Sequence, residues 1–424
     1  MPDQGRYRTG DQALVRQMNL SVIMHYLREH GAASRASLAE ATGLNKTTVS
    51  SLVRELTGQG FIHEFGTCTL GSGRPGVLLR LNPAAGCILA SEIMADFVSV
   101  VRTDFSAQVV WRQREPIDQA MGQCAIIDRT LTLLHQALDA EPYHELLGVA
   151  LGVPGLVDRT NGTLLFAPNL HWNDVPLRAI LNESFSSTVF VDNEANLAVL
   201  GEHYFGAARD CDDVLYLTLG AGVGGGLLRG GQLCRGASGY AGEFGHMTID
   251  VNGALCNCGN RGCWETLVSQ WGLFGHVRSA MQDGRASRLG DMTYGDLNNL
   301  TVAFVVDAAR AGDRVAQVAL EQVGIDLGTG IASLVNALNP ELVVLGGSLI
   351  LAGEFLLPIA EEQVRRRALR WSADATRIVL AQQGADACVM GGIAAGLQAV
   401  LAQPGDDGAE GYPALRSSQR EFPM

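Results

Sequence analysis

The sequence predicts an α/β protein headed by a winged helix-turn-helix. Two observations carry this. In the first 60 residues, apolar positions at helical spacing are punctuated by polar caps and glycines, and a strand pair with a Gly/Pro-rich tip follows. From residue 87 onward, strand-like apolar runs alternate with helical stretches, the pattern of layered α/β architecture. With 424 residues, 47% of them hydrophobic, the chain can bury a large core divided over two to four domains. That composition excludes a disordered chain and a disulfide-stapled mini-protein.

The elements follow in order. Val15, Met18, Val22, Ile23, Tyr26 and Leu27 have helical spacing across residues 11–30, and Gly31 ends that helix. Ser34 caps a short helix over 35–41 by offering its hydroxyl to the free amides of the first turn. Thr42-Gly43-Leu44 makes a tight turn, and Asn45 caps a third helix reaching about residue 58. There Val49, Leu52, Val53 and Leu56 form an apolar face, while Lys46, Thr47, Ser50, Ser51 and Arg54 lie opposite. Two helices joined by a short glycine turn, the second with a small-polar and basic outer face, make a helix-turn-helix. Residues 61–65 and 77–81 read as the two strands of a wing around the tip at 71–76, and Asn82-Pro83 closes the segment.

Strands are then predicted over 88–101, 148–153, 188–191, 214–219 and 342–345, with helices including 128–138, 194–204 and 326–338. The longest apolar stretch, 342–360, is interrupted by Gly346, Gly347, Ser348, Gly353, Glu354 and Pro358. It reads as strand, turn and helix, not as a membrane span. No short-period repeat is evident. Residues 404–424 lack periodicity and are expected to be a loose tail. The first 25 residues contain no apolar core of a secretory signal, which predicts a soluble cytoplasmic protein.

Formal charge is -13, which argues against an overall basic coat for nucleic acid. Residues 1–80 nevertheless carry +3 and the remainder -16. Such asymmetry fits a small anion-binding head on an acidic body. Lys46, at the start of the third helix, is the only lysine among 31 basic residues, so its singularity reflects composition as much as function.

Three of nine cysteines crowd into eight residues, Cys256 to Cys263, and His246 precedes them. In a reducing compartment such clustering favours metal over disulfide. His246, Cys256, Cys258 and Cys263 supply three thiolates and an imidazole, a closed tetrahedral set for one structural zinc ion per chain. The competing possibility is a loop of free cysteines. A catalytic zinc is disfavoured because no coordination position stays open.

The segment Glu243-x-Gly245-His246, followed by Cys256-x-Cys258-Gly259-x-x-Gly262-Cys263-x-Glu265, resembles the signature of the ROK family of repressors, open reading frames and sugar kinases. The likeness runs from about residue 10 to 400. Ser34-Arg35, Leu38-Ala39, Thr42-Gly43-Leu44, Thr47-Thr48-Val49-Ser50 and Gly73-Arg74-Pro75 resemble the winged helix of its repressor branch, in the manner of xylose repressors. Gly152-Val153-Pro154-Gly155, Asn169-Leu170-x-Trp172 and Asn193-Glu194-Ala195-Asn196 resemble its sugar-site segments.

The resemblance implies a two-lobed, actin-like α/β domain with a cleft between the lobes. It implies sugar binding by Asn169, Asn193, Glu194, Glu243, His246 and Glu265. Amide and carboxylate side chains suit vicinal hydroxyls, which donate in pairs to carboxylates and accept from amide nitrogens. Glu243 and Glu265 flank the metal loop, so a bound ion would hold both acids in place. For the head, it implies DNA contacts from Arg35, Lys46, Thr47, Thr48, Ser50 and Arg54, with Arg74 at the wing tip.

Family kinases carry an Asp-x-Gly-Gly-Thr turn that cradles ATP phosphates. Glu92-Ile93-Met94-Ala95-Asp96 stands there instead. Met94 and Ala95 hinder close backbone approach, and Asp96 sets an anion where an anion must bind. The second phosphate loop, Leu219-Gly220-Ala221-Gly222-Val223-Gly224, keeps its glycines but has Ala221 in place of a threonine. Glu194 replaces the kinases' catalytic aspartate. The expectation is therefore a non-enzyme: a repressor of carbohydrate genes, released from operator DNA by a sugar effector and acting as a homodimer or homotetramer. Residues 1–81 would be the DNA-binding domain, 82–403 the sugar-sensing domain and 404–424 the tail. The alternatives are a bifunctional DNA-binding sugar kinase and a DNA-binding protein whose second domain only dimerises.

Overall fold

The structure, a computed structural model, describes residues 12–68, 76–140 and 145–402. The head opens with α1 (Gln12–His30), α2 (Arg35–Thr42) and α3 (Lys46–Gly58). Both foreseen caps form. Ser37 N donates to Ser34 Oγ at 3.1 Å, and Thr48 N donates to Asn45 Oδ1 at 2.8 Å. Gly43 ends α2 in the left-handed region, φ 70°, where a side chain would be strained.

The short strand β1 (Ala33–Ser34) pairs with the wing, whose strands β2 (Ile62–Cys68) and β3 (Gly76–Leu81) run antiparallel. The wing tip, and with it Arg74, lies outside the described residues, as does the foreseen tail at 404–424. The first helix departs from its predicted face. Leu20, Ile23, Met24 and Leu27 are buried, whereas Val15, Met18 and Val22 are about half exposed. A second apolar stripe had been merged with the packed one.

The body consists of two lobes with the same strand arrangement. The first holds β4 (Cys87–Ile93), β5 (Phe97–Asp104), β6 (Val109–Pro116), α4 (Gln123–Asp139) and β7 (Leu146–Val153). A small sheet follows, of β8 (Leu156–Asp158), β9 (Thr163–Ala167) and β10 (Trp172–Val175). Then come α5 (Leu177–Ser184), β11 (Thr188–Asn193) and α6 (Glu194–Phe205).

The second lobe holds β12 (Val214–Leu219), β13 (Val223–Arg229), β14 (Gln232–Leu233), α7 (Glu265–Val268), α8 (Gln270–Gln282) and α9 (Leu289–Met292). It continues through α10 (Val302–Arg310), α11 (Arg314–Leu338), β15 (Leu342–Gly346), α12 (Gly353–Arg367), α13 (Arg370–Ala375) and β16 (Arg377–Leu380). The chain then returns to the first lobe as α14 (Ala387–Ala402).

The sheet orders are β11-β7-β4-β5-β6 and β14-β13-β12-β15-β16. In each, an antiparallel meander of three strands is extended by two parallel strands beside the first. Residues 88–101 are therefore not one strand. They span β4, a turn at Met94–Asp96 and β5, with Met94 N donating to Phe97 O at 2.8 Å. An apolar run without Gly or Pro concealed that reversal.

Helix α14 packs on α6 so closely that a Cβ on Gly391 would overlap the Leu197 carbonyl. It also lies against β7 and β4. Although α11, and α14 together with the turn before it (Gly384–Ala402), are apolar and long enough to cross a membrane, most of each is buried in the protein core. The head shares a core with the first lobe. Leu20, Ile23, Leu27 and Leu56 belong to the same cluster as Ile88, Phe105, Ile393 and Leu397. Phe61 and Phe105 meet at a centroid separation of 5.5 Å, and the Arg28 guanidinium sits 4.3 Å over the Tyr204 ring.

Candidate functional site

Between the lobes lies a cavity of about 340 Å³, and Asn169, Asn193, Glu194, Glu243, His246 and Glu265 all line it. They arrive from separate elements. Asn169 follows β9, Asn193 ends β11, and Glu194 opens α6. His246 ends the short 3-10 turn Phe244–His246, which Glu243 precedes, and Glu265 opens α7.

Local hydrogen bonds explain their placement. Asn193 caps α6, its Oδ1 accepting from Ala195 N at 2.9 Å and Asn196 N at 3.2 Å. That fixes its amide to donate to Glu194 Oε2 at 2.7 Å and Gly155 O at 3.2 Å. Asn169 Oδ1 accepts from Asn257 of the cysteine loop at 3.0 Å, a contact across the mouth of the cleft.

The ligand atoms of His246, Cys256, Cys258 and Cys263 lie within 4.8 Å of one another. Cys258 Sγ and Cys263 Sγ are 3.7 Å apart, as are Cys256 Sγ and His246 Nδ1. A disulfide needs about 2.05 Å. A tetrahedron with metal–sulfur bonds of about 2.3 Å has edges near 3.8 Å, so the donor set fits a metal ion. Burial raises the Cys256 and Cys263 thiols above their ordinary range. A dication would supply the charge that holds them as thiolates.

The two roles foreseen for His246 use different ring atoms. Nδ1 faces the cysteines, and Nε2 lies 3.8 Å from Glu243 Oε2 on the cleft side. Glu265 also joins the two regions. Its Oε1 lies 2.8 Å from Cys256 Sγ and accepts from it while that group is a thiol, and its Oε2 accepts from Val223 N at 3.4 Å.

The cleft floor is acidic and buried. Burial lifts Glu194 to about 8, reinforced by the charges of Glu243 and Glu92. Glu243 is raised too, chiefly by burial, with the His246 charge opposing and Glu265 adding to the shift.

The glycine turn between β12 and β13 has a direct structural role here. A Cβ on Gly222 would lie 2.6 Å from Asn169 Nδ2 and 2.7 Å from Glu265 Oε2. On Gly224 it would lie 2.5 Å from Glu194 Oε1. These glycines make room for the acid and amide side chains of the cleft. Sequence reasoning missed Cys388, Arg114 and Ser348 as cleft residues. It noted Glu92 only as part of a degenerate turn. They come from distant segments with no shared motif.

On the head, Lys46, Thr47 and Arg54 are exposed on α3, and Thr48 and Ser50 are half-buried beside them. Ser50 Oγ donates to Lys46 O at 2.8 Å. Arg35 is half-buried and pairs with Glu64 of β2 at 3.4 Å, so it braces α2 against the wing.

The family model "ROK family" matches residues 102–398, and "IclR helix-turn-helix domain" matches 20–64. The chain is 31% identical over 397 residues to the xylose repressor of Caldicellulosiruptor bescii, covering 93% of this chain and 99% of that protein. A crystal structure of a ROK family transcriptional regulator, a homologue of E. coli MLC protein, superposes with TM-score 0.78 at 26% identity, over 92% of this chain and 97% of that one. A ROK family glucokinase from Streptomyces griseus, in complex with glucose and AMPPNP, gives TM-score 0.66 at 30% identity, over 72% and 98%. That shorter match leaves the N-terminal head as the feature shared with the repressors. With a helix-turn-helix in front and the two-lobed α/β body behind it, the chain belongs to the ROK family.

Proposed function

We propose that this chain is a sugar-responsive transcriptional repressor in which residues 1–81 bind operator DNA and 82–403 bind the effector. One observation carries the reading. Six amide, carboxylate and imidazole side chains suited to polyol hydroxyls, drawn from both lobes, line a single cleft beside four side chains that could hold a metal ion. The sugar would be held by Asn169, Asn193, Glu194, Glu243, His246 and Glu265, and by analogy with the xylose repressors the first effector to try is D-xylose. Zinc bound by His246, Cys256, Cys258 and Cys263 would tie down Glu243 and Glu265 and take no part in chemistry.

For DNA, α3 would enter a major groove with Lys46, Thr47, Thr48, Ser50 and Arg54, while Arg35 and Arg74 would grip the flanks. A homodimer or homotetramer, acting in the cytoplasm, would present two heads to a palindrome. A sugar that touches both lobes favours their closed arrangement. If that arrangement misplaces the heads, it releases the operator.

The test is a titration of sugar into the full chain with and without its operator, the latter selected from random duplexes. Reciprocity requires that DNA weaken sugar binding by the factor by which sugar weakens DNA binding, typically ~5–150-fold. Equal affinities in the two titrations overturn the reading. Glu243→Gln is expected to abolish the sugar response and leave sugar-free DNA affinity unchanged.

One observation favours a second reading, a bifunctional kinase. Glu194 stands at the head of α6 on the cleft floor, where the family's kinases carry their catalytic aspartate. Sugar-dependent ADP release that is lost in Glu194→Gln would establish that alternative. No such turnover is expected, because Met94, Ala95 and Asp96 occupy the first phosphate turn.

A further inference from the structure

The cleft continues past Glu194 into a chamber lined by Glu92, Met94, Asp96, Phe97, Arg114 and Ser348. At ~30 Å³ per water, the whole 340 Å³ holds on the order of eleven waters, roughly twice what one pyranose ring displaces. A monosaccharide on the six polyol-binding residues leaves this chamber unfilled.

The duplicated topology supplies an internal comparison. The β4–β5 and β12–β13 turns occupy equivalent places in the two sheets, and both reach the cavity. One is Gly220-Ala221-Gly222, whereas the other is Met94-Ala95-Asp96. Among the described lining residues Arg114 is the only arginine or lysine, against Glu92, Asp96 and Glu194 on the same side of the cleft. A nucleoside triphosphate finds a single cation there, itself faced by Asp96, and on this side no glycine turn whose amides could approach its phosphates.

What the chamber offers is suited to a neutral, donor-rich ligand with an apolar face. Glu92 lines the chamber and is 6% exposed, with its Oε2 buried behind that surface and lacking a hydrogen-bond partner. Asp96 and Ser348 are exposed at the rim. Met94 and Phe97 provide apolar surface, and the Arg114 guanidinium stacks 3.5 Å over the Phe97 ring. Sugar rings are amphiphilic in this way, with hydroxyls at the edge and C–H groups on the face.

The geometry points to a second sugar subsite, so that the effector is a disaccharide or longer glycoside whose second ring lies against Glu92, Asp96 and Phe97. This rests on the reading of the first subsite as a sugar site. It specifies that the ligand grows from the end facing Glu194.

Calorimetric titration of the full chain with D-xylose, D-glucose, xylobiose, cellobiose and maltose tests it. At least one dimer is expected to bind about tenfold or more tightly than its own monomer. Glu92→Leu should reduce that dimer to monomer affinity and leave the monomer within about twofold. Ser348→Trp, at an exposed position on the rim, should do the same by filling the chamber. If monomers bind and every dimer binds no tighter, the second subsite is wrong and the first stands. If no sugar binds, the reading of the first subsite falls as well. Tight binding of AMPPNP that excludes the dimer would assign the chamber to phosphates and overturn the proposal.

Discussion

Arg235 and Asp192 join the two lobes through a two-pronged ion pair, Nη2–Oδ2 at 2.6 Å and Nη1–Oδ1 at 3.0 Å, with Asp192 2% and Arg235 13% exposed. Asp192 lies beside Asn193 at the end of β11, and Arg235 begins the loop that leads to Glu243. Removing one member of a buried pair typically costs ~3–5 kcal/mol. Arg235→Gln is expected to lower the urea midpoint accordingly and to weaken sugar binding, because Glu243 loses its tether to the first lobe. A loss below about 1 kcal/mol, the scale of an exposed pair, would show that the bridge does not hold the junction.

Protein purified without chelator should contain one zinc per chain by elemental analysis. Stripping it is expected to weaken sugar binding through Glu243 and Glu265 and to leave the far-ultraviolet circular dichroism of the head unchanged. Cys258→Ser should behave like the stripped protein. Finding no zinc in the untreated protein would refute the assignment.

Stability should fall as pH rises through the neutral range. Glu92 and Glu194 are both held at about 8 in the folded protein against an ordinary 4.5. Burial is the main cause. Arg114 opposes the shift at Glu92 while Asp386 and Asp96 add to it, and Glu243 and Glu92 add to it at Glu194. Between those pH values the native state keeps protons that the unfolded chain has released. Their contribution is complete below pH 4.5, declines up to about 8 and is flat beyond. The slope is at most ~1.4 kcal/mol per pH unit for each group. Denaturation series at several pH values should show the decline, and Glu92→Gln and Glu194→Gln should each flatten it.

On the head, Lys46→Ala and Arg54→Ala should each weaken binding to every duplex and reduce the salt slope by roughly one. Thr47→Ala should instead relax sequence preference if its hydroxyl reaches a base edge. The salt dependence of operator binding measures both. An unchanged slope in the Lys46, Arg54 double variant would mean that α3 does not face phosphate.

The head was legible because its signals are local. Ser34, Gly43 and Asn45 act within one turn of themselves, and they mark the helix boundaries. The cysteine loop was legible for a related reason: the four side chains that could hold an ion fall in one short span, and coordination geometry limits their spacing. The hairpin at Met94–Asp96 was not, since a reversal without glycine or proline leaves the apolar run unbroken. The face of α1 was misjudged because Val15, Met18 and Val22 share the spacing of the truly buried set. The Arg235–Asp192 bridge depends on the closure of two sheets around a cleft, which no local pattern encodes. The doubled strand order is invisible in the sequence, because the topology recurs without a recurring motif.

The shared core of head and first lobe has a mechanical consequence. Leu20, Ile23 and Leu27 are covered in part by Ile393, Leu397 and Leu401 of a helix whose opposite end, at Cys388, lines the cleft. There is no slack joint between the helix-turn-helix and the wall of the cleft. A cut after residue 81 would strip both pieces of a common apolar seam, so the head is not a cassette that can be transplanted alone. For the same reason the head cannot respond by swinging loose. Whatever rotation the first lobe undergoes is carried to α3 undiminished, and a small turn at the cleft becomes a larger sweep at the end of the arm.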